Sequence, residues 1–175
     1  MTKRELYQKA YRLLDELTPI KTDCGELCNK ACCDSNDVDA GMYLFPGEEV
    51  MYRPVPPWLK IEKSDFTYGR NKPVNIAICT EPCERSLRPL ACRIFPLTPY
   101  IEDNGNMIIK IDPRSAVLCP LARKNADYKL DEEFIDTVVR VFRFLARDKD
   151  IRAYILSLSQ LIDEEEEYLR SFFQK

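Results

Sequence analysis

The chain of 175 residues contains no histidine. That removes the imidazole that most often serves as a general base or as a nitrogen ligand for metals. Any proton transfer would have to use Glu, Asp, Lys, Tyr or Cys. A Gly-rich phosphate loop and a dinucleotide fingerprint are also missing, which argues against nucleotide-dependent chemistry. No window approaches the roughly 20 apolar residues that a membrane span requires. The opening Met-Thr-Lys-Arg-Glu-Leu-Tyr-Gln-Lys is charged and lacks the apolar core of a signal peptide, so a reducing cytoplasm is the expected setting. Charge of neither sign dominates, with 26 Lys and Arg against 29 Asp and Glu, a net of −3. That balance gives no basic footprint for nucleic acid. The acidic run from Glu164 to Glu167 falls within a helical pattern and reads as a solvated face.

What the chain does have is eight cysteines, in two tight constellations. The first is Cys24, Cys28 and the vicinal pair Cys32-Cys33; the second is Cys79 and Cys83, with Cys92 and Cys119 downstream. With 45% apolar residues the chain can build an ordinary core, so it has no need of disulfides as a substitute. In a reducing compartment, clustered thiols without histidine point to metal held through sulfur alone. The softness of sulfur selects zinc, Cu(I) or iron–sulfur chemistry over magnesium or calcium. Spacing leaves zinc and iron–sulfur both open.

The spacing also constrains the backbone. Were residues 24–32 one helix, Cys24 and Cys32 would stand about 12 Å apart along its axis. Zinc–sulfur bonds near about 2.3 Å require sulfurs within about 4 Å of one another. To bring Cys24, Cys28 and Cys32 all to one ion the segment must fold back, and Gly25 and Asn29 are suited to that; a helical segment would instead divide the three thiols between sites. Adjacent side chains diverge, so Cys32 and Cys33 serve one site only in a contorted loop and otherwise look into two. Eight thiols suffice for two four-thiolate sites, or for one cluster with four to spare. Arg88 and Arg93 flank Cys92 and are expected to offset the charge of about −2 that a four-thiolate zinc site or an oxidised 4Fe–4S site carries. Pro82, Pro89 and Pro120 stiffen the ligand loops. No catalytic residue is assigned.

The rest of the pattern predicts an α+β fold in a single domain over residues 1–175. Residues 3–17 read as a helix with Thr2 and Glu5 at capping-box spacing and a stripe of Leu6, Ala10, Leu13, Leu14 and Leu17, ended by Thr18-Pro19. From Tyr43 to Pro113 the pattern is strand and turn. Val74–Cys79 reads as a strand, and Asp103-Asn104-Gly105 as the turn of a hairpin over Leu97–Ile111. Asp131 is expected to cap a helix burying Phe134, Ile135, Val138, Val139, Phe142 and Leu145. Asp150 is expected to cap the next, burying Ile151, Tyr154, Ile155, Leu158, Ile162, Leu169 and Phe172. The two form a helical hairpin over about 131–172, packed with the first helix against the irregular cysteine-rich half.

The cysteine doublet, the block Arg88-Pro-Leu-Ala-Cys92-Arg-Ile-Phe-Pro96 and the late Cys119-Pro120 together resemble the YkgJ-type cysteine-cluster family. The likeness spans about residues 20–123. It implies a zinc- or iron-chelating domain that uses this cysteine set. One branch of that family is similar to longer flagellin lysine N-methylases, so a cluster-dependent enzyme, methylase-like or oxidoreductase, is the alternative expectation. A disulfide-stabilised binding module is the third.

Overall fold

The computed structural model describes residues 1–33, 41–123 and 125–173, and the side chains of these except at 169, 172 and 173. The chain begins with helix α1 (Lys3–Leu14), then the single turn α2 (Gly25–Cys28). The short strand β1 (Met42–Tyr43) is followed by the hairpin β2 (Leu59–Tyr68) and β3 (Lys72–Cys79). Helix α3 (Leu90–Ile94) leads into a second hairpin, β4 (Leu97–Ile101) and β5 (Met107–Ile111). Two long helices close the chain, α4 (Glu132–Leu145) and α5 (Lys149–Phe173). The fold is α+β, with two separate antiparallel sheets, one in the order β1-β3-β2 and the other β4-β5. No described helix is long and apolar enough to cross a membrane.

Local chemistry accounts for most of these boundaries. The capping box of α1 is complete: the Glu5 amide donates to Thr2 Oγ1 (3.2 Å) and the Thr2 amide to Glu5 Oε2 (2.8 Å). The helix ends at Leu14, three residues before the predicted stop at Leu17. The physical reason is tertiary. The Asp15 and Leu17 carbonyls accept from the Arg85 guanidinium (2.9 and 3.1 Å), which replaces the helical donors beyond Leu14. The buried stripe also differs from the expected one, because Leu13 is 42% exposed while Tyr7 and Tyr11 are buried beside Leu6, Ala10 and Leu14.

Strand β3 delivers Cys79 at its end, as the sequence predicts. The β4–β5 hairpin is also as predicted, in register Ile101↔Met107. Only Gly105 of its turn has positive φ (+83°), so Asn104 does not share that role. Asp131 caps α4 by accepting from the Phe134 amide (3.1 Å). That helix buries Thr137 and Val141, whereas Ile135 and Val139 are half-buried. For α5 the cap is Asp148, not Asp150: its carboxylate accepts from the amides of Asp150 (3.0 Å) and Ile151 (3.2 Å). Leu169 and Phe172, expected on the buried face of α5, lie outside the described side chains.

One apolar cluster joins α1, α4, α5 and faces of both hairpins, with Phe45, Phe142 and Tyr154 in ring contact near its centre. Helix α4 lies closest to α1 and β5, and α5 lies across β4 and β2. The cysteines sit outside this core. Two smaller apolar clusters, around Trp58 and around Ile20, carry several of them.

Candidate metal centre

The first cysteine segment does fold back. Asp23 Oδ1 accepts from the Gly25 amide (2.9 Å), opening the single turn α2 with Cys24 before it and Cys28 at its end. Two consecutive left-handed residues, Asn29 (φ 50°) and Lys30 (φ 58°), then reverse the chain. Asn29 thus does what the sequence expects. Gly25 contributes differently, through space: a Cβ there would meet Lys30 Cγ at 2.9 Å and Asp23 Oδ1 at 3.1 Å. The reversal leads into a 3₁₀ turn, Ala31–Cys33, that carries the vicinal pair. The Sγ atoms of Cys32 and Cys33 stand 3.9 Å apart, both residues exposed.

The second group is delivered by separate elements. Cys79 ends β3, Cys83 follows Pro82, and Cys92 lies in α3 just after Arg88-Pro89. Cys119 is 8% exposed and starts the 3₁₀ turn Pro120–Ala122. All eight cysteines are free thiols. A cavity of about 70 Å³ has Cys24, Cys28, Cys32, Cys33, Cys92 and Cys119 in its lining, with Leu14, Leu17, Phe95 and Leu121 on its apolar side. That volume is well above the roughly 10–15 Å³ one water needs. As the side chains are oriented, no three cysteine or carboxylate groups among the described residues surround one point tightly enough to hold a metal ion.

Chain order does not predict which thiols are neighbours. Burial, then Asp23, then the Cys119 and Cys28 thiols push the Cys24 thiol up. Cys92 is pushed far above the usual thiol range, by burial first and then by Cys33, Cys79 and Cys83. Cys79 is raised by burial, then by Cys83 and Cys33. Cys119 therefore has Cys24 and Cys28 among its neighbours and Cys33 has Cys79 and Cys92, while Cys33 and Cys92 line the same cavity as Cys24, Cys28 and Cys119. Within the doublet, the hydrogen bond between the two sulfurs raises Cys32 and lowers Cys33, and Arg88 and Lys30 help Cys33 to ionise.

No family model, curated protein or solved structure matches the chain. The donor set must therefore be judged on its own chemistry, and three features fit an anionic sulfur-rich centre. Arg88 is half-buried among the thiols, and its Nε is buried with no hydrogen-bond partner among the described residues. Burial pulls its pKa down, but a hydrogen bond to Cys83 and the nearby Cys33 and Cys92 thiols outweigh that and hold it above its ordinary value. Burial raises Cys119, while the backbone amides of Leu121 and Ala122 approach its sulfur and favour the thiolate. They stop short of forming a full cap hydrogen bond. The third feature is the apolar side of the cavity, which limits water around the sulfurs.

Arg93, the other arginine expected to face the thiols, is bound elsewhere. Its side chain lines the cavity, but its donors go to the carbonyls of Arg88 (2.8 Å), Arg85 (2.7 Å) and Ser86 (2.9 Å), and to Asp15 Oδ1 (3.2 Å). Its guanidinium also lies over the Tyr11 ring, 4.5 Å from the centroid. Arg93 is a positioning residue that fixes the loop presenting Arg88 and Cys92. Arg93→Lys should therefore lose about 1–3 kcal/mol of stability, because one ammonium cannot span three carbonyls in a fixed plane. Urea unfolding of the two proteins measures it.

Sequence reasoning missed Glu48. Glu26 and Glu81, close in sequence to cysteines, are exposed, whereas Glu48 is 0% exposed. Its Oε1 accepts from the Tyr11 hydroxyl (2.6 Å) and the Leu90 amide (2.6 Å), and its Oε2 from the Phe45 amide (2.9 Å). Tyr52 reaches the Tyr11 hydroxyl at 2.8 Å. The carboxylate thereby ties α1 to the start of α3, which carries Cys92. Gly47 just before it, with φ +88°, is the available signal for the sharp turn that turns this glutamate inward.

Proposed function

We propose that the chain is a metal-binding protein of a reducing compartment, chelating zinc or an iron–sulfur cluster through its cysteine thiolates. The observation that carries this reading is Arg88. A guanidinium whose buried Nε has no partner among the described residues, set beside the Cys33, Cys83 and Cys92 sulfurs, is costly unless those sulfurs carry negative charge. Thiols turned into thiolates by a bound cation supply that charge. The resemblance to the YkgJ-type cysteine clusters points the same way. When bound, zinc would cross-link the loops, and an iron–sulfur cluster would add electron transfer.

The roles of the chain's own residues follow. Cys24, Cys28, Cys32, Cys33, Cys79, Cys83, Cys92 and Cys119 are the donors. Arg88 offsets their charge, Arg93 and Glu48 fix the loops that present Arg88 and Cys92, and the amides after Cys119 favour its thiolate. The apolar side of the cavity limits water around the buried sulfurs. An enzyme reading finds no support in Glu48, the buried carboxylate beside Cys92, since both its oxygens are committed to structural hydrogen bonds.

Protein purified without oxygen tests this by elemental analysis and thiol titration. Stoichiometric zinc, or iron with inorganic sulfide, is expected, together with thiols protected until the protein is denatured. Metal-free protein with all eight thiols freely reactive would refute it. Arg88→Gln should weaken metal affinity about 10–100-fold, the usual effect of removing a partner of the ligand shell.

A further inference from the structure

We propose that the indole N–H of Trp58 donates to a metal-bound thiolate of the Cys79–Cys83 loop, and that this bond strengthens metal binding. The inference rests on the metal-binding reading above and adds to it a residue that supplies no ligand atom.

Trp58 is 6% exposed, and its Nε1 is buried with no hydrogen-bond partner among the described residues. A buried tryptophan N–H normally has a partner, so this orphan marks a place where an acceptor is expected. The side-chain acceptors in its apolar cluster are few. The Tyr52 hydroxyl is taken up with Tyr11 (2.8 Å), and Met51 offers only a weak thioether. That leaves the sulfurs of Cys79 and Cys83, which pack on the same cluster. As neutral thiols they too accept weakly. As thiolates they accept well, because a hydrogen bond to an ionised group is about twice as strong as one between neutral groups.

The backbone holds Trp58 against this loop. Leu59, the next residue, lies opposite Cys79 in the β2–β3 ladder, and the Thr80 amide donates to the Trp58 carbonyl (2.8 Å). On the other side Pro56 and Pro57 stiffen the chain, and the Leu59 amide closes a turn on the Pro56 carbonyl (3.0 Å). The ring is packed in the cluster with Leu44, Leu59 and Ala77, which leaves it little room to turn. The loop has the freedom that the ring lacks. Both thiols are half-buried, and residues 80–84 form no helix or strand. Closure of the loop on a cation therefore carries a sulfur to the indole, not the indole to a sulfur. The N–H then draws charge from the thiolate, which steadies it at the centre and raises the affinity for the cation.

The chain has one tryptophan, so its indole proton gives a single resonance in ¹⁵N-labelled protein. The full-length chain, stripped of metal and kept reduced without oxygen, can be titrated with ¹¹³Cd²⁺, a soft ion suited to thiolates. Thiolate-to-cadmium absorbance reads binding. At saturation the indole proton should move downfield, exchange more slowly with water and show splitting by the ¹¹³Cd spin, which reaches it only along an N–H···S–Cd path. An unmoved resonance on saturated protein would overturn the inference while leaving thiolate binding intact. So would a shift without that splitting, which would assign the indole to another acceptor. Absence of thiolate-to-cadmium absorbance would overturn both this inference and the function beneath it. Trp58→Phe keeps an aromatic ring and loses the donor, and it should bind Cd²⁺ about 10–100-fold more weakly in competition with a chelator. An unchanged affinity would overturn the contribution to binding. Should that variant fail to fold, the wild-type resonance decides alone.

Discussion

Replacing Glu48 with alanine should cost about 3–5 kcal/mol, a large share of the stability of a chain this size. Three donors lose their acceptor together: the Tyr11 hydroxyl and the amides of Phe45 and Leu90. Each buried donor left unmatched costs about 1–3 kcal/mol, and the missing side chain leaves a void as well. Glu48→Gln is the informative companion. Its amide nitrogen cannot accept, so one of the three donors must still go without. Burial raises the Glu48 carboxyl from the ordinary 4.5 to about 6, against the opposing pull of its bonds to Tyr11, Leu90 and Phe45 and of Arg93. The folded chain therefore holds this proton more tightly than the unfolded chain does. The associated stabilisation is complete below about pH 4.5 and is lost as pH rises through about 6. Wild type minus Glu48→Gln should accordingly shrink by about 2 kcal/mol across that window. Denaturant melts of both proteins at a series of pH values measure it, and a difference independent of pH would contradict the account of Glu48.

Removal of metal should produce the second large effect. A cation that binds only the folded chain, present at a thousandfold over its dissociation constant, contributes about 4 kcal/mol. For a chain of this length that corresponds to a melting temperature lower by about 8–16 °C after chelation. The loss should be local as well as global. Loops around residues 20–33, 79–95 and 117–123 hold the thiols and should lose hydrogen-exchange protection first. The part of the core cluster carried by α4, α5 and the hairpins, away from the cavity that Leu14 lines, should keep its own. Equal loss of protection throughout, or no change in melting temperature, would contradict this.

The elements legible in the sequence are those governed by local chemistry. Thr2 and Glu5 satisfy one another's backbone groups, Asp131 serves the Phe134 amide, and Gly105 takes the positive φ of its turn; each rule needs only neighbouring residues. Most of what eluded it was set by distant partners, with the Asp148 cap of α5 the local exception. Arg85 ends α1 from 70 positions away, and Asp148 captures the α5 amides that Asp150 was expected to serve. Tyr7 and Tyr11 replace Leu13 on the buried face, with both hydroxyls bonded, to the Pro46 carbonyl and to Glu48. Strand β2 is hard to read from sequence because Lys60, Glu62, Lys63 and Asp65 crowd its length, a pattern that an exposed sheet face tolerates.

The cysteines illustrate the same division. Their number, their freedom from disulfides and the need for a chain reversal between Cys24 and Cys32 can all be argued from spacing and compartment. Their grouping cannot. Cys119 packs with Cys24 through Ile20 and Leu121, and Cys33 lines the same cavity as Cys92 after the left-handed pair Asn29-Lys30 reverses the chain. Arg88 and Arg93 flank the same cysteine with the same charge, yet one meets sulfur and the other meets carbonyls. Arg93 lies within α3 and reaches Asp15, whereas Arg88 precedes that helix, and neither placement is visible in a motif.

X-ray absorption at the edge of the metal that copurifies with oxygen-free protein tests the central claim most directly. The account predicts a first shell of sulfur alone, at about 2.3 Å if the metal is zinc. A first shell of oxygen or nitrogen would contradict it.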